Sequence, residues 1–140
     1  MARMEYKLEL VLLPVSDVEA SKAFYVDRAG FRLDVDHRAG DDFRVVQVTP
    51  PGSACSVSFG IGISEQAPGS VKGLHLVVAD IVAARDELLA RGVEVSAVRH
   101  MADGGWADGP HPERADFNSF ASFDDPDGNS WVLQERGHLS

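Results

Sequence analysis

The chain has 140 residues, a length suited to one domain whose core needs no disulfide support. A formal net charge of −9, with no basic stripe to offset it, excludes a nucleic-acid backbone as partner. No apolar run nears the roughly 20 residues of a bilayer-spanning helix, and the lone Cys55 excludes an internal disulfide and agrees with a reducing cytoplasm.

Residues 8–15 alternate as a strand, with Pro14 marking an edge or a break in pairing. Asp17 stands where an N-cap belongs, its carboxylate placed to accept a first-turn N–H. Val18, Ser21, Phe24 and Tyr25 then recur at helical spacing until Gly30 closes the helix. Residues 31–36 read as a strand, 39–42 as a turn and 43–49 as another strand. Pro50, Pro51 and Gly52 turn the chain into a third, over 54–60. Residues 63–71, holding Pro68, Gly69 and Ser70, form a connector.

The second half begins with a strand over 73–78 and Asp80 as N-cap. Its helix turns Ile81, Ala84 and Leu88 inward and stops at Gly92, before a strand over 93–98. Residues 100–116 then insert a Gly-, Pro- and Asp-rich stretch around Trp106, where the first half has only a turn. Flanked by Gly104-Gly105 and Gly109-Pro110, Trp106 reads either as an aromatic lid able to stack on a planar ligand or as part of a surface loop. Strands over 117–123 and 130–134 surround the turn at Asp125-Pro126-Asp127-Gly128, and the tail from Arg136 is expected to fray.

The halves are one plan written twice. Residues 12–17 align with 75–80, and 49–59 with 125–135. The repeats span about residues 6–62 and 71–137 of a single domain, 1–140. The fold class is α+β: two strand–helix–three-strand modules.

The residues Asp17, Ala20, Phe24-Tyr25 and Gly30-Phe31, then Asp80 and Asp125 through Asn129, resemble the vicinal oxygen chelate superfamily. That group includes glyoxalase I, extradiol dioxygenases, fosfomycin resistance enzymes and bleomycin-binding proteins. The likeness covers residues 6–136 and is specific for fold, not reaction. It implies a cupped mixed sheet with helices on its outer face, and a homodimer. It also implies metal ligands at matched places in the halves: seven residues before each capping Asp, and four after the Gly of the turn before each last strand. Those places hold Leu10, Gly73, Ser56 and Val132. Three have no side-chain donor atom and the fourth offers a neutral hydroxyl, whereas a divalent ion needs imidazole, carboxylate or thiolate. No metal or other cofactor is expected.

Alternation puts Leu10, Leu12, Ser56, Ser58, Gly73, His75, Val132 and Gln134 on the pocket side, with Val11, Leu13, Val57, Leu74, Leu76, Trp131 and Leu133 beneath the helices. The result is a largely apolar floor with a few hydrogen-bonding groups. His75 is read as a ligand-orienting donor, as a general base, or as a ring satisfied by Ser58 or Gln134. His100 is the second histidine of interest; His37, His111 and His138 are read as peripheral. Glu135 falls on the opposite face from Val132 and reads as a solvated or dimer-contacting charge. Cys55 reads as a small buried hydrophobe, and Asp41, Asp42, Asp124 and Asp125 as turn chemistry.

The first functional reading is a metal-independent small-molecule binder of the bleomycin-resistance type, sequestering or carrying an apolar or aromatic compound, with Trp106 closing over it. The alternative is a glyoxalase-like lyase or isomerase, with relocated metal ligands or with His75 as base. A structural or interaction module is a third.

Overall fold

The computed structural model describes residues 3–139, so both ends of the 1–140 span lie outside it. The described chain forms two compact units that divide after Ala67, each holding one repeat and its own mixed sheet.

The first unit contains β1 (Leu10–Leu12), α1 (Val18–Lys22), β2 (Arg32–Arg38), β3 (Arg44–Thr49) and β4 (Ser56–Ile61). Its strand order is β1-β4-β3-β2, with β1 parallel to β4 and the remaining pairs antiparallel. Asp17 caps α1 by accepting the Ala20 N–H at 3.1 Å. Beyond Lys22 the helix widens over Ala23–Arg28 into i→i−5 bonding, as in Ala29 N–H to the Phe24 carbonyl at 2.8 Å. The wider turn lets the consecutive rings of Phe24 and Tyr25 both enter the core, edge to face at 5.1 Å. Gly30 ends the segment at φ 78°, a conformation that a side chain resists.

The second unit contains β5 (Leu74–Val78), α2 (Ile81–Ala90), β6 (Arg99–Ala102), β7 (Gly105–Asp108), β8 (Phe120–Asp124) and β9 (Ser130–Glu135), in the sheet order β5-β9-β8-β6-β7. Asp80 caps α2 through the Ala83 N–H at 3.1 Å, as Asp17 does in the first unit. Ile81 and Leu88 face the core, and Gly92 closes the helix while Val93 N–H returns to the Leu88 carbonyl at 3.0 Å.

Residues 100–116 depart from both readings offered by the sequence. They open with a hairpin, β6–β7, that widens the sheet by one edge strand, closed where Ala102 faces Gly105. Trp106 is therefore a strand residue, neither hinged lid nor loose loop. Its backbone is held by the ladder to Met101.

The turn before β9 locks the unit's start to its end. Asp125 Oδ1 accepts the N–H groups of Asp127 and Asn129, each at 2.9 Å. Asn129, fully buried, accepts the Val71 N–H at 3.1 Å and donates Nδ2 to Asp125 Oδ2 at 2.8 Å. Asn129→Ala removes the acceptor of the part-buried Val71 N–H and one donor to the buried Asp125 carboxylate, so the urea midpoint should fall by the equivalent of about 2 kcal/mol.

The tail is anchored where fraying was expected. Arg136 N–H reaches the Val78 carbonyl at 3.0 Å, Gly137 N–H the Asp116 carboxylate at 2.8 Å, and His138 Nδ1 the Ala79 carbonyl at 3.0 Å.

Candidate functional site

All five strands of the second sheet contribute to one face. His75 pairs with Val132, Val132 with Ser122, and Ser96 lies across from Ser122, forming one row. Farther along, Phe120 stands opposite Arg99, and Trp106 on β7 completes the face. With Ala121, these residues line a half-open hollow of about 260 Å³. One wall is aromatic: Trp106 meets Phe120 edge-on at 5.5 Å and 87°. The Arg99 guanidinium lies 4.0 Å from the Trp106 ring centroid, within cation–π range.

A bulge sets where Arg99 points. Ser96 N–H donates to the Ser122 carbonyl at 2.8 Å, but the reciprocal ladder bond is missing. Arg85 of α2 takes the Ser96 carbonyl with Nε at 2.6 Å, so Ser122 N–H turns to Ser96 Oγ at 2.9 Å. Ser96 opposes Ser122 while Arg99 opposes Phe120, so three steps on one strand meet two on the other. The expected strand over 93–98 is thus extended but outside the regular ladder, which starts at Arg99.

The first unit has an irregularity at the matching place, since Gly30 aligns with Gly92 and hence Asp34 with Ser96. Asp34 is the extra residue between the pairs Leu33–Val48 and Val35–Gln47. Its carboxylate accepts the Thr49 hydroxyl and Arg32 Nε, the latter at 2.7 Å, and the Thr49 bond, then Arg32, holds its pKa below the usual carboxylate value. Thr49 and Ser56 share a hydrogen bond at 2.6 Å. Ser58, two residues on, is buried, and its hydroxyl has no partner among the described residues.

His75 is exposed, and its ring has one partner among the described residues, the Gly73 carbonyl 2.7 Å from Nδ1. A carbonyl only accepts, so Nδ1 carries a proton, and in the neutral ring Nε2 keeps its lone pair. The ring can take a hydrogen bond, or a proton, at Nε2. Gln134 does not satisfy it.

Of the positions singled out from sequence, His75, Trp106 and Val132 come together in this hollow. Gln134 instead donates Nε2 to the Phe117 carbonyl at 3.2 Å, and Gly73 donates its N–H to Ser130 Oγ at 2.7 Å. Leu10 lies directly opposite Ser56 and Leu12 opposite Ser58, on the first unit's sheet. Sequence reasoning missed Ser96, Arg99, Phe120 and Ser122. The signal that would have placed Arg99 is Asp103-Gly104, a tight-hairpin dipeptide that brings residue 99 alongside Trp106.

Other side chains also differ from expectation. Glu135 is on the opposite face from Val132, as parity requires, but is fully buried rather than solvated. Arg114 donates Nε to Glu135 Oε1 at 2.8 Å and Nη2 to Oε2 at 2.6 Å, and the Ile81 N–H adds a bond at 2.9 Å. Arg114 reaches it from a left-handed backbone (φ 52°), and Phe117 nearby has φ 64°. Such conformations cost non-glycine residues about 1 kcal/mol each and persist only where held. Cys55 is half-exposed rather than buried, its thiol 3.6 Å from the Ser56 carbonyl. His100 is buried and bonded to the Gly109 carbonyl at 2.8 Å, away from the hollow's lining. A neighbouring hollow of about 320 Å³, lined by Glu94, Ser122, Phe123, Asp124 and Asp125, is acidic, with Asp125 already committed to its turn.

The family's metal does not fit these residues. Leu10 and Ser56 adjoin on one sheet, and Ser56 Oγ is engaged by Thr49. Gly73 and Val132 offer no donor on the other. Among the described residues, Asp80, Glu135 and His138 bring three ligand-type atoms within 4.8 Å of one another. Arg114 already places a cation between the two carboxylates, 2.6 Å from Glu135 and 3.3 Å from Asp80.

Paired repeats, each a mixed sheet with a capped helix, are the scaffold of vicinal oxygen chelate proteins. The model of the Glyoxalase/Bleomycin resistance protein/Dioxygenase superfamily matches residues 7–133, and the chain belongs to that family. TnmS3, an antibiotic binding protein from Streptomyces sp. CB03234, is 33% identical, with 96% of this chain and 98% of that one covered at a TM-score of 0.72. A glyoxalase/bleomycin resistance protein from the same strain is 34% identical, covering 91% and 99% at 0.69. A superfamily member from Sphaerobacter thermophilus DSM 20745 is 30% identical, covering 96% and 100% at 0.72. No helix among the described residues is long and apolar enough to cross a membrane.

Proposed function

We propose that this protein binds a small organic molecule without a divalent metal ion, sequestering or carrying an apolar or aromatic compound in the hollow of its second unit. The observation that carries the reading is the chemistry of the four family ligand positions, Leu10, Ser56, Gly73 and Val132, set beside a hollow walled by Trp106 and Phe120. Ligand sites are largely apolar concavities with a few placed polar groups, and Ser96, Ser122 and His75 supply those groups. The similarity to TnmS3, an antibiotic binding protein, supports the same class of activity. A homodimer and a cytoplasmic setting belong to this proposal.

A second reading rests on His75. With Nδ1 fixed by Gly73, Nε2 is free to accept a proton, which suits a metal-free lyase or isomerase. One experiment addresses both. Protein dialysed against EDTA is screened by thermal shift and calorimetry with aromatic compounds, and each mixture is analysed for product. Stabilisation unchanged by the chelator, with every compound recovered intact, is the expected result. Product formed by the chelated protein would favour the His75 reading. Binding or turnover that vanishes with EDTA and returns with one divalent metal would overturn the proposal.

A further inference from the structure

We propose that the hollow selects planar aromatic anions, with Arg99 contributing the charge-assisted contact. The inference rests on reading this hollow as the ligand site, and names the class of compound it takes.

Charge provides the first argument. The chain carries 22 Asp and Glu against 13 Lys and Arg, so arginines have carboxylates to choose from. Arg32, Arg44, Arg91 and Arg114 are each ion-paired, whereas Arg28, Arg38, Arg85 and Arg136 form no ion pair among the described residues. Arg99 makes no ion pair among the described residues. Asp108 stands directly across the β6–β7 ladder, yet the guanidinium lies over the Trp106 ring. Contact with the ring leaves the guanidinium N–H donors unspent among the described residues.

The lining provides the second. No carboxylate lines this hollow, and Arg99 is its one permanently charged residue. A cationic compound would find no counter-charge there, and one face of Trp106 is already covered by a cation. A flat ring against the wall of Phe120 and Trp106 can direct a carboxylate, sulfonate or phenolate at the guanidinium, whose forked donors favour bidentate bonding. The Ser96 and Ser122 hydroxyls add neutral polar contacts, and His75 Nε2 accepts from a ring hydroxyl or amine.

Size provides the third. About 260 Å³ lies just below the range of drug-sized ligand sites, roughly 300–1,000 Å³, and so suits one or two fused rings.

The test compares 2-naphthoate with 2-naphthamide, which share a ring system and differ in charge, by calorimetry at low salt. The proteins are the unaltered chain, Arg99→Met and Arg99→Lys. Arg99 is exposed, so both variants should keep the thermal midpoint of the parent. The parent should bind the acid about tenfold more tightly than the amide, the scale of one charge-assisted bond. Arg99→Met should abolish that preference, the acid losing more affinity than the amide, and Arg99→Lys, a point charge without the fork, should fall between. Equal affinity for acid and amide in the parent would overturn the inference while leaving the hollow as a ligand site. So would a preference that survives Arg99→Met. Binding of neither probe would overturn the inference and count against an aromatic site altogether.

Discussion

Arg114→Met should lower the stability of this protein by about 3 kcal/mol, because removing one partner of a buried ion pair leaves the other charge uncompensated. Glu135 is fully buried, and two of its contacts come from the Arg114 fork. On a chain of this length the loss corresponds to a fall in Tm on the order of 10 °C. Arg114→Met combined with Glu135→Leu should recover part of it, since an apolar pair of similar volume needs no counter-charge, although the buried Ile81 N–H loses its acceptor. A double-mutant cycle in urea checks both statements. The pH dependence has a definite sign. Arg114 first, and then the Ile81 N–H, holds the Glu135 carboxyl below its ordinary value of 4.5. The unfolded chain therefore binds the proton more readily, and this stabilisation is whole at neutral pH, beginning to fade only below about 4.5. In Arg114→Met the buried carboxyl has lost its cation, so its pKa should rise and the variant's deficit should shrink as the solution is acidified.

Trp106→Ala should weaken binding of an aromatic ligand at least about 30-fold with little change in Tm. Aromatic anchors at the centre of a site commonly carry 2 kcal/mol or more. Trp106 is 49% exposed on an edge strand, so its ring contributes little to the core. Trp106→Phe should restore part of the affinity, because a smaller ring still faces Phe120. Fluorescence gives an independent readout. Trp131 is buried and stacked on Phe123 at 6.2 Å, so ligand-induced quenching should come from Trp106 and vanish in either variant. Undiminished affinity in Trp106→Ala would show that the ligand does not use this wall.

Local signals in the sequence were sufficient for the scaffold. Asp17 and Asp80 cap helices through their own carboxylates, and Gly30 and Gly92 end them at positive φ. Strand alternation put Leu10 with Leu12 and Ser56 with Ser58, and the parallel register sets those pairs side by side. What alternation could not reach was the far side of the bulge. A single extra residue between Ser96 and Arg99 shifts the count, so a strand read straight through from Val93 assigns the following side chains to the wrong positions. The cause is also non-local: the Ser96 carbonyl is taken by Arg85, eleven residues earlier on the helix. Glu135 was misjudged for a related reason. Its face followed from parity, but its burial depends on Arg114, in a loop 21 residues away, and no local pattern announces that partnership.

The β6–β7 hairpin has a consequence for how specificity can change. It brings Arg99 and Trp106 to the hollow from the outermost pair of strands, joined to the rest of the sheet mainly at the Arg99–Phe120 pairing. The hydrophobic interior lies beneath the other strands and does not depend on the hairpin's tip. Under the proposed reading, recognition sits on an edge ribbon whose tip at residues 102–105 can vary in length or composition while the buried His100 and the platform beneath stay in place. That makes the tip the natural place for laboratory retargeting.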